Sequence, residues 1–294
     1  AQAVLTNLIQ QHGIHLVHAF GTPAANLLAN LPRNPLRVAT LDPTPLPFLQ
    51  QWRLNHHVLP KLDRVIAPSL EIMNRLLRAS IAPRKLDFIP PGIPVPRARP
   101  AKEVIRSEFG FTPEHIVAGT HAPLDNPAAH HYALMAADRL AKFFPQLRLL
   151  LSGPGPVHPR LTAHAKKLGI QKITTFADTK NEDAPPYPAM DIFLNPAATV
   201  HPPAAQLLYA QANALPVIAN QTPPAPQLLQ DHITGLLVPP KNIPALAGAL
   251  RKLILDQELR ASMAQNAATF IQDCFALATM LDGVRGVYEN LGQS

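Results

Sequence analysis

Histidine is the side chain best suited to proton or metal chemistry near neutral pH, and thirteen of them are spread along this 294-residue chain. Their spacing limits what they can do. His12, His15 and His18 recur every third residue, but Gly13 interrupts any helix that would stack them into a metal site, and no metal is expected. His56–His57 and His130–His131 are adjacent pairs, which point apart on a helix and read as solvent-facing residues. Ser69 lacks the histidine and aspartate of a nucleophilic triad; it precedes an apolar-periodic run and reads as a helix cap. Gly153-Pro154-Gly155-Pro156 has the glycines of a phosphate cradle, yet its prolines donate no N–H, so a tight turn is the better reading. A helix expected from Pro202 to Ala214 follows a strand, and a helix start at the carboxyl edge of a sheet can hold an anion, but Pro202 and Pro203 remove two backbone donors from its first turn. No DNA-binding motif of recognised spacing is present.

The stretch from Asp191 to Pro240 is what would position that helix. Ile192–Asn195 and Leu215–Asn220 are short apolar runs bounded by turn residues, hence buried strands. A short helix follows the proline-rich break at Thr222–Pro226, and Gly235 opens a third strand. Strand, helix, strand, helix, strand is a parallel α/β unit, which takes ligands at the carboxyl ends of its strands. The same alternation fills the remainder. Helices are expected over residues 1–12, Thr22–Leu31 (capped by Thr22), Phe48–Leu59 and Leu70–Leu77, with strands at Ile14–Phe20, Arg37–Leu41, Asp63–Pro68 and Leu86–Pro90. Val95–Pro100 has three prolines in six residues and reads as an extended linker. Beyond it come helices at Lys102–Phe109, Ala128–Phe143 and Leu161–Leu168, interleaved with strands at His115–Gly119, Leu147–Ser152 and Lys172–Phe176. Three helices follow Pro240, at Ile243–Leu255, Arg260–Phe270 and Ala276–Tyr288.

Composition bounds the partners. Aromatic residues are only 5% of the chain, so its cores must be aliphatic, and the 34 prolines fall at element edges as punctuation. A net charge of +7 and a pI near 9.8 favour an anionic partner. A basic cluster of Arg75, Arg78, Arg84, Lys85, Arg97, Arg99, Lys102 and Arg106 surrounds the linker, and a solvated charged face is its simplest reading. The single Cys274 leaves no intrachain disulfide and suits a reducing compartment. No apolar run reaches membrane-spanning length and no signal peptide is recognised, so a cytoplasmic location is expected.

Several runs resemble the family-4 glycosyltransferases of the GT-B fold. Ala210, Ala212, Pro216 and Val217 match the family's Glu-Ala-x-Ala-x-Gly-x-Pro-Val, and Thr234 to Pro239 match its Thr-Gly-Leu-Leu-Val-Pro. Asp63 to Ser69 is similar to Ala-Asp-x-Val-Ile-Ala-x-Ser, and Ser152 to Pro156 to Val-Gly-x-Gly-Pro. The resemblance implies two Rossmann-like parallel-sheet domains. Residues 1–95 would form a shortened or truncated acceptor-side domain, 96–275 the nucleotide-sugar-binding domain, and 276–294 a helix returning to the first. It also implies hexose transfer from a nucleotide-diphosphate sugar, with retention and without a further cofactor. The family's first glutamate falls on His201 and the histidine near the reacting sugar on Asp42, which become the catalytic candidates. The donor-binding candidates are Thr120 at the arginine position, Asn126 at the lysine-glycine position, and Gly153 in the turn. Phe176 before the base-facing loop, Ala204 in the Gly-Phe-Gly slot and Tyr209 at the second glutamate complete that set. With both cationic positions replaced, a GT-B scaffold without catalysis, serving as a binding or partner subunit, is the alternative; a nucleotide- or sugar-phosphate-binding protein of another class is a third. Some members of the family touch anionic membranes through basic helices of the first domain, so peripheral membrane contact is a further expectation.

Overall fold

The computed structural model describes residues 2–32, 34–42, 46–96, 101–179, 186–196 and 204–292. The chain forms two compact units, Ala1–Gly92 with Phe275–Ser294, and Ile93–Cys274.

In the first unit the order is α1 (Gln2–Gln11), β1 (Leu16–Phe20), α2 (Thr22–Leu28), β2 (Leu36–Thr40), α3 (Phe48–Arg53), β3 (Arg64–Ala67), α4 (Leu70–Arg78) and β4 (Leu86–Phe88). The four strands lie parallel in the order β1-β2-β3-β4. A parallel sheet is covered on both faces, which is why Val38, Ala39, Val65, Ile66 and Ala67 are all buried. Ser69 caps α4 as expected, its hydroxyl accepting from the Ile72 N–H at 3.2 Å. Thr22 does not cap α2. The capping position is Gly21, at φ 82°, and the carboxylate of Asp42 supplies the acceptor for the Thr22 N–H at 3.0 Å. The helix expected to Leu59 ends at Arg53 and continues as a wider π-type turn over Leu54–Val58.

The second unit runs α5 (Lys102–Glu108), β5 (Ile116–His121), α6 (Pro127–Ala141), β6 (Leu147–Gly153), α7 (Pro159–Lys167), β7 (Thr174–Asp178), β8 (Ile192–Asn195), α8 (Ala204–Ala212), β9 (Val217–Asn220), α9 (Ala225–Leu228), β10 (Gly235–Val238), α10 (Ile243–Leu255) and α11 (Gln257–Cys274). Its six strands are parallel in the order β10-β9-β8-β5-β6-β7. Counted from β5 as the first, that is 3-2-1-4-5-6, the doubly wound arrangement. The three strands expected between Asp191 and Pro240 therefore lie side by side and in one direction. The prolines do fall at boundaries: α2, α6, α7 and α10 each carry one in the first two helical positions, where a missing N–H costs nothing. β7 lies two residues later than expected, which moves Ala177 and Asp178 to the sheet edge.

The remaining helix, α12 (Leu277–Gly292), belongs to the first unit, where Val284, Val287 and Tyr288 pack against Val38, Ile66 and Ile89.

Part of the expected basic cluster is internal scaffolding. Arg106 is buried and pairs with Asp191, whose other oxygen meets Lys102 Nζ at 2.6 Å. Asp191 also accepts from the Val117 N–H at 2.7 Å, so one carboxylate ties α5, β5 and β8 together. Arg97 and Arg99 lie outside the described residues.

Candidate functional site

In a sheet of order 3-2-1-4-5-6 the chain winds outward in both directions from its first strand, and a crevice opens where the direction reverses. Here that point lies between β5 and β8. Their pairing ends at Gly119 and Phe193, while β5 continues beside β6 to His121. A cleft of about 1250 Å³ opens at the carboxyl ends of β5, β6 and β7, with His121, Pro154, Asp178, Thr179, Tyr187 and Tyr209 on its walls.

The rim is built by close backbone contact. A Cβ on Gly153 would stand 1.6 Å from the Ala122 carbonyl oxygen, so only glycine lets β6 end against the loop after β5. Backbone bonds from Ala122 N to Ser152 O (2.9 Å), Leu124 N to Pro154 O (3.0 Å) and Thr179 N to Gly153 O (3.0 Å) hold three loops together.

His121 is a titratable group on this rim that lines the cleft, and its orientation follows from a hydrogen-bond chain. Ser152 Oγ donates to the Thr120 carbonyl at 2.8 Å, so it accepts from His121 Nδ1 at 3.1 Å. Nε2 of the neutral ring is then an acceptor. Burial pushes the His121 pKa below the ordinary value, favouring that neutral form. Behind it, His130 Nε2 donates to the Ala122 carbonyl at 3.2 Å and its Nδ1 accepts from the Thr120 hydroxyl at 2.7 Å. Tyr187 lies beside His121, ring centroids 5.7 Å apart, and burial together with nearby Tyr209 raises its phenol pKa. Two buried polar atoms at this sheet edge, Thr179 Oγ1 and Asn195 Nδ2, have no hydrogen-bond partner among the described residues.

The expected site residues divide accordingly. Tyr209 is 37% exposed and lines the cleft. Ala204 opens α8, whose next residues Ala205 and Gln206 are on the wall. Gly153 shapes the rim through its backbone rather than cradling a ligand. Thr120 is turned inward, 2% exposed, its hydroxyl held by His130. Asn126 caps α6, accepting from the Ala128 N–H at 3.2 Å. Phe176 packs on the core of the second unit, and its neighbour Ala177 reaches the cleft. Asp42 belongs to the first unit, where its carboxylate holds the start of α2. His201 lies outside the described residues.

Sequence reasoning missed His121 and misread His130, which is fully buried rather than solvent-facing. The signal for His130 was available: Ala133, Leu134 and Ala137 follow it at the i+3, i+4 and i+7 spacing of a buried stripe, and all three are buried. The ring nitrogens of His18 bond Tyr288 Oη at 2.6 Å and Thr40 Oγ1 at 2.8 Å.

The family model for glycosyl transferases group 1 matches residues 102–270, more than half of the chain. The chain belongs to that family. Among relatives of this chain, the D-inositol 3-phosphate glycosyltransferase of Saccharomonospora viridis is 28% identical over 249 residues, covering 79% of this chain and 56% of that protein. The alpha-D-kanosaminyltransferase of Streptomyces kanamyceticus is 25% identical over 162 residues, 55% of this chain and 42% of its own. The chain thus spans about half the length of the curated relatives it matches. Among solved structures, a glycosyltransferase from Rickettsia africae superposes with a TM-score of 0.83 at 19% identity, covering 98% of this chain and 80% of that one. The Anabaena protein HepE in complex with UDP superposes with a TM-score of 0.81 at 18% identity, covering 100% and 82%. The fold is therefore that of the GT-B glycosyltransferases, with two parallel-sheet units. No described helix is long and apolar enough to cross a membrane.

Proposed function

We propose that this chain binds a nucleotide-diphosphate sugar in the cleft of the second unit and serves retaining hexose transfer to an acceptor. The observation carrying this reading is the crevice at the β5/β8 reversal, the place where this sheet order receives nucleotides. Tyr209 supplies aromatic surface there, and Thr179 Oγ1 on the wall is a polar atom that a bound nucleotide would satisfy. Calorimetric titration with UDP, GDP and ADP tests the binding half, and sugar release from the matching nucleotide sugar tests the chemistry. No heat with any of the three ends the reading.

One observation favours a second reading, a glycosyltransferase scaffold that holds nucleotide as a binding or partner subunit without turnover. Among the described lining residues the charged side chains are Glu108 and Asp178, and His121 is biased toward neutrality. A departing diphosphate needs oriented donors or cations, and removing one such donor typically costs about 3 kcal/mol of transition-state stabilisation. Binding without sugar release supports this second reading; release decides for the first.

A peripheral membrane contact is proposed on separate grounds. Every residue of α3 is at least partly exposed, with Phe48 80% and Leu49 76% accessible, and Trp52 stacks on His56 next to Arg53. Aromatic and cationic side chains on one short element suit an anionic lipid interface. Co-sedimentation with phosphatidylglycerol vesicles but not phosphatidylcholine vesicles, lost in Phe48→Ser/Trp52→Ser, is the expected result.

A further inference from the structure

The first unit contains a polar cavity of about 650 Å³ at the amino-terminal edge of its own sheet. Arg37 near the start of β2, the Pro60–Asp63 turn entering β3, and Lys85 before β4 form its walls, closed by the residues after α2. Three cations, Arg37, Lys61 and Lys85, face one carboxylate, Asp63, and that carboxylate is engaged by the Arg37 backbone N–H at 2.7 Å.

Arg37 is the unusual member. It is 4% exposed, and among the described residues its guanidinium donates to main-chain carbonyls, those of Lys61 and Pro32. Its Nε has no partner among the described residues, and none of the ion pairs formed by the described residues includes it. Carbonyl dipoles solvate a buried guanidinium but leave its charge uncompensated, an expensive arrangement unless an anion comes close. Lys85 Nζ donates to the carbonyls of Pro60 and Leu62 at 2.9 and 2.7 Å, which leaves the third ammonium proton for a ligand. Lys61 is exposed at the mouth.

We propose that this cavity binds a phosphate-class anion, inorganic phosphate or a phosphomonoester of sugar-phosphate size. The volume suits a small phosphorylated molecule, and the field of three cations with one pre-engaged carboxylate selects for at least two negative charges. The site is distinct from the nucleotide cleft and does not depend on the reading of that cleft.

The test is calorimetry on the full chain with inorganic phosphate and then glucose 6-phosphate, against sodium chloride of equal ionic strength. Saturable binding is expected, unaffected by saturating UDP, weakened about tenfold in Lys61→Ala and abolished in Lys61→Ala/Lys85→Ala. Should the double variant fail to fold, Lys61→Glu, altered at an exposed position, must also abolish binding. Phosphatidic acid vesicles separate the two sources. In the Phe48→Ser/Trp52→Ser background, which removes the α3 membrane contact, sedimentation reversed by soluble phosphate assigns a lipid headgroup, and soluble binding without such reversible sedimentation assigns a free phosphorylated molecule; both support the site. No heat beyond the chloride control, displacement by UDP, or unchanged affinity in Lys61→Glu would overturn it.

Discussion

The imidazole of His130 is buried, bonded on both nitrogens, and held below its ordinary pKa chiefly by desolvation. The unfolded chain exposes the same ring at its normal pKa. Below about pH 6.5 the unfolded state therefore takes up a proton that the folded state refuses, and stability falls as pH falls; above that pH the two states match and nothing is lost. The slope reaches about 1.4 kcal/mol per pH unit for each such ring. Urea unfolding at pH 7.5 and 5.5 should show the loss, and His130→Leu should reduce it without abolishing it, since burial also lowers His18 and His121, while lowering stability at both pH values by orphaning the Thr120 hydroxyl and Ala122 carbonyl. At His121 the same proton acts in the opposite sense on a ligand. A neutral ring offers the diphosphate only a lone pair, and a protonated one offers a cation. UDP-glucose, which has no phosphate titrating in this range, should bind several-fold more tightly at pH 5.5 than at 7.5. Among the described residues, His130, Tyr187, Tyr209, Asp178 and Glu108 are the titratable neighbours around His121 and its cleft. Binding that is pH-independent, or equally pH-dependent in His121→Gln, would remove His121 from the site.

At the scale of elements, the loops after β5, β6 and β7 act as one rim because Gly153 lets them touch. Gly153→Ala places a methyl group inside the Ala122 carbonyl, so one loop must move. The expected cost is about 3 kcal/mol or more, read as a melting temperature lower by about 6 °C or more. Asp191→Ala removes the partner of buried Arg106 and the acceptor of Val117 N, with an expected loss of about 3–5 kcal/mol; the partly exposed Lys102 contributes little. A denaturation midpoint near that of the parent would refute either estimate. Most of these elements were legible in the sequence, since strands buried on both faces read as unbroken apolar runs and prolines mark helix starts. The site was less legible. Thr120 and His121 are neighbours on one strand, and only the pleat decides which faces the cleft. The capping of α2 by Asp42 joins positions twenty residues apart and leaves no local pattern. β7 was misplaced because the polar-apolar mixture of Lys172–Phe176 fixes no register until β6 supplies one.

On the scale of the whole molecule, the two sheets were readable from the alternation of elements, and the family from the Thr234–Pro239 and Asp63–Ser69 runs. What the local pattern does not contain is which surface each terminal helix covers. α12 is amphipathic, but its partners Val38, Ile66 and Ile89 lie roughly 200 to 250 residues before Val287. Deleting residues 277–292 should uncover those side chains, increase binding of a hydrophobic dye, and destabilise the first unit before the second, measured by residue-resolved hydrogen exchange. This placement has a temporal corollary. Domains commonly fold in the order in which the ribosome releases them, yet here the earlier unit must wait for residues translated after the later one. Stalled nascent chains ending before Leu277 should resist protease over Ile93–Cys274 while their leading portion is still cleaved.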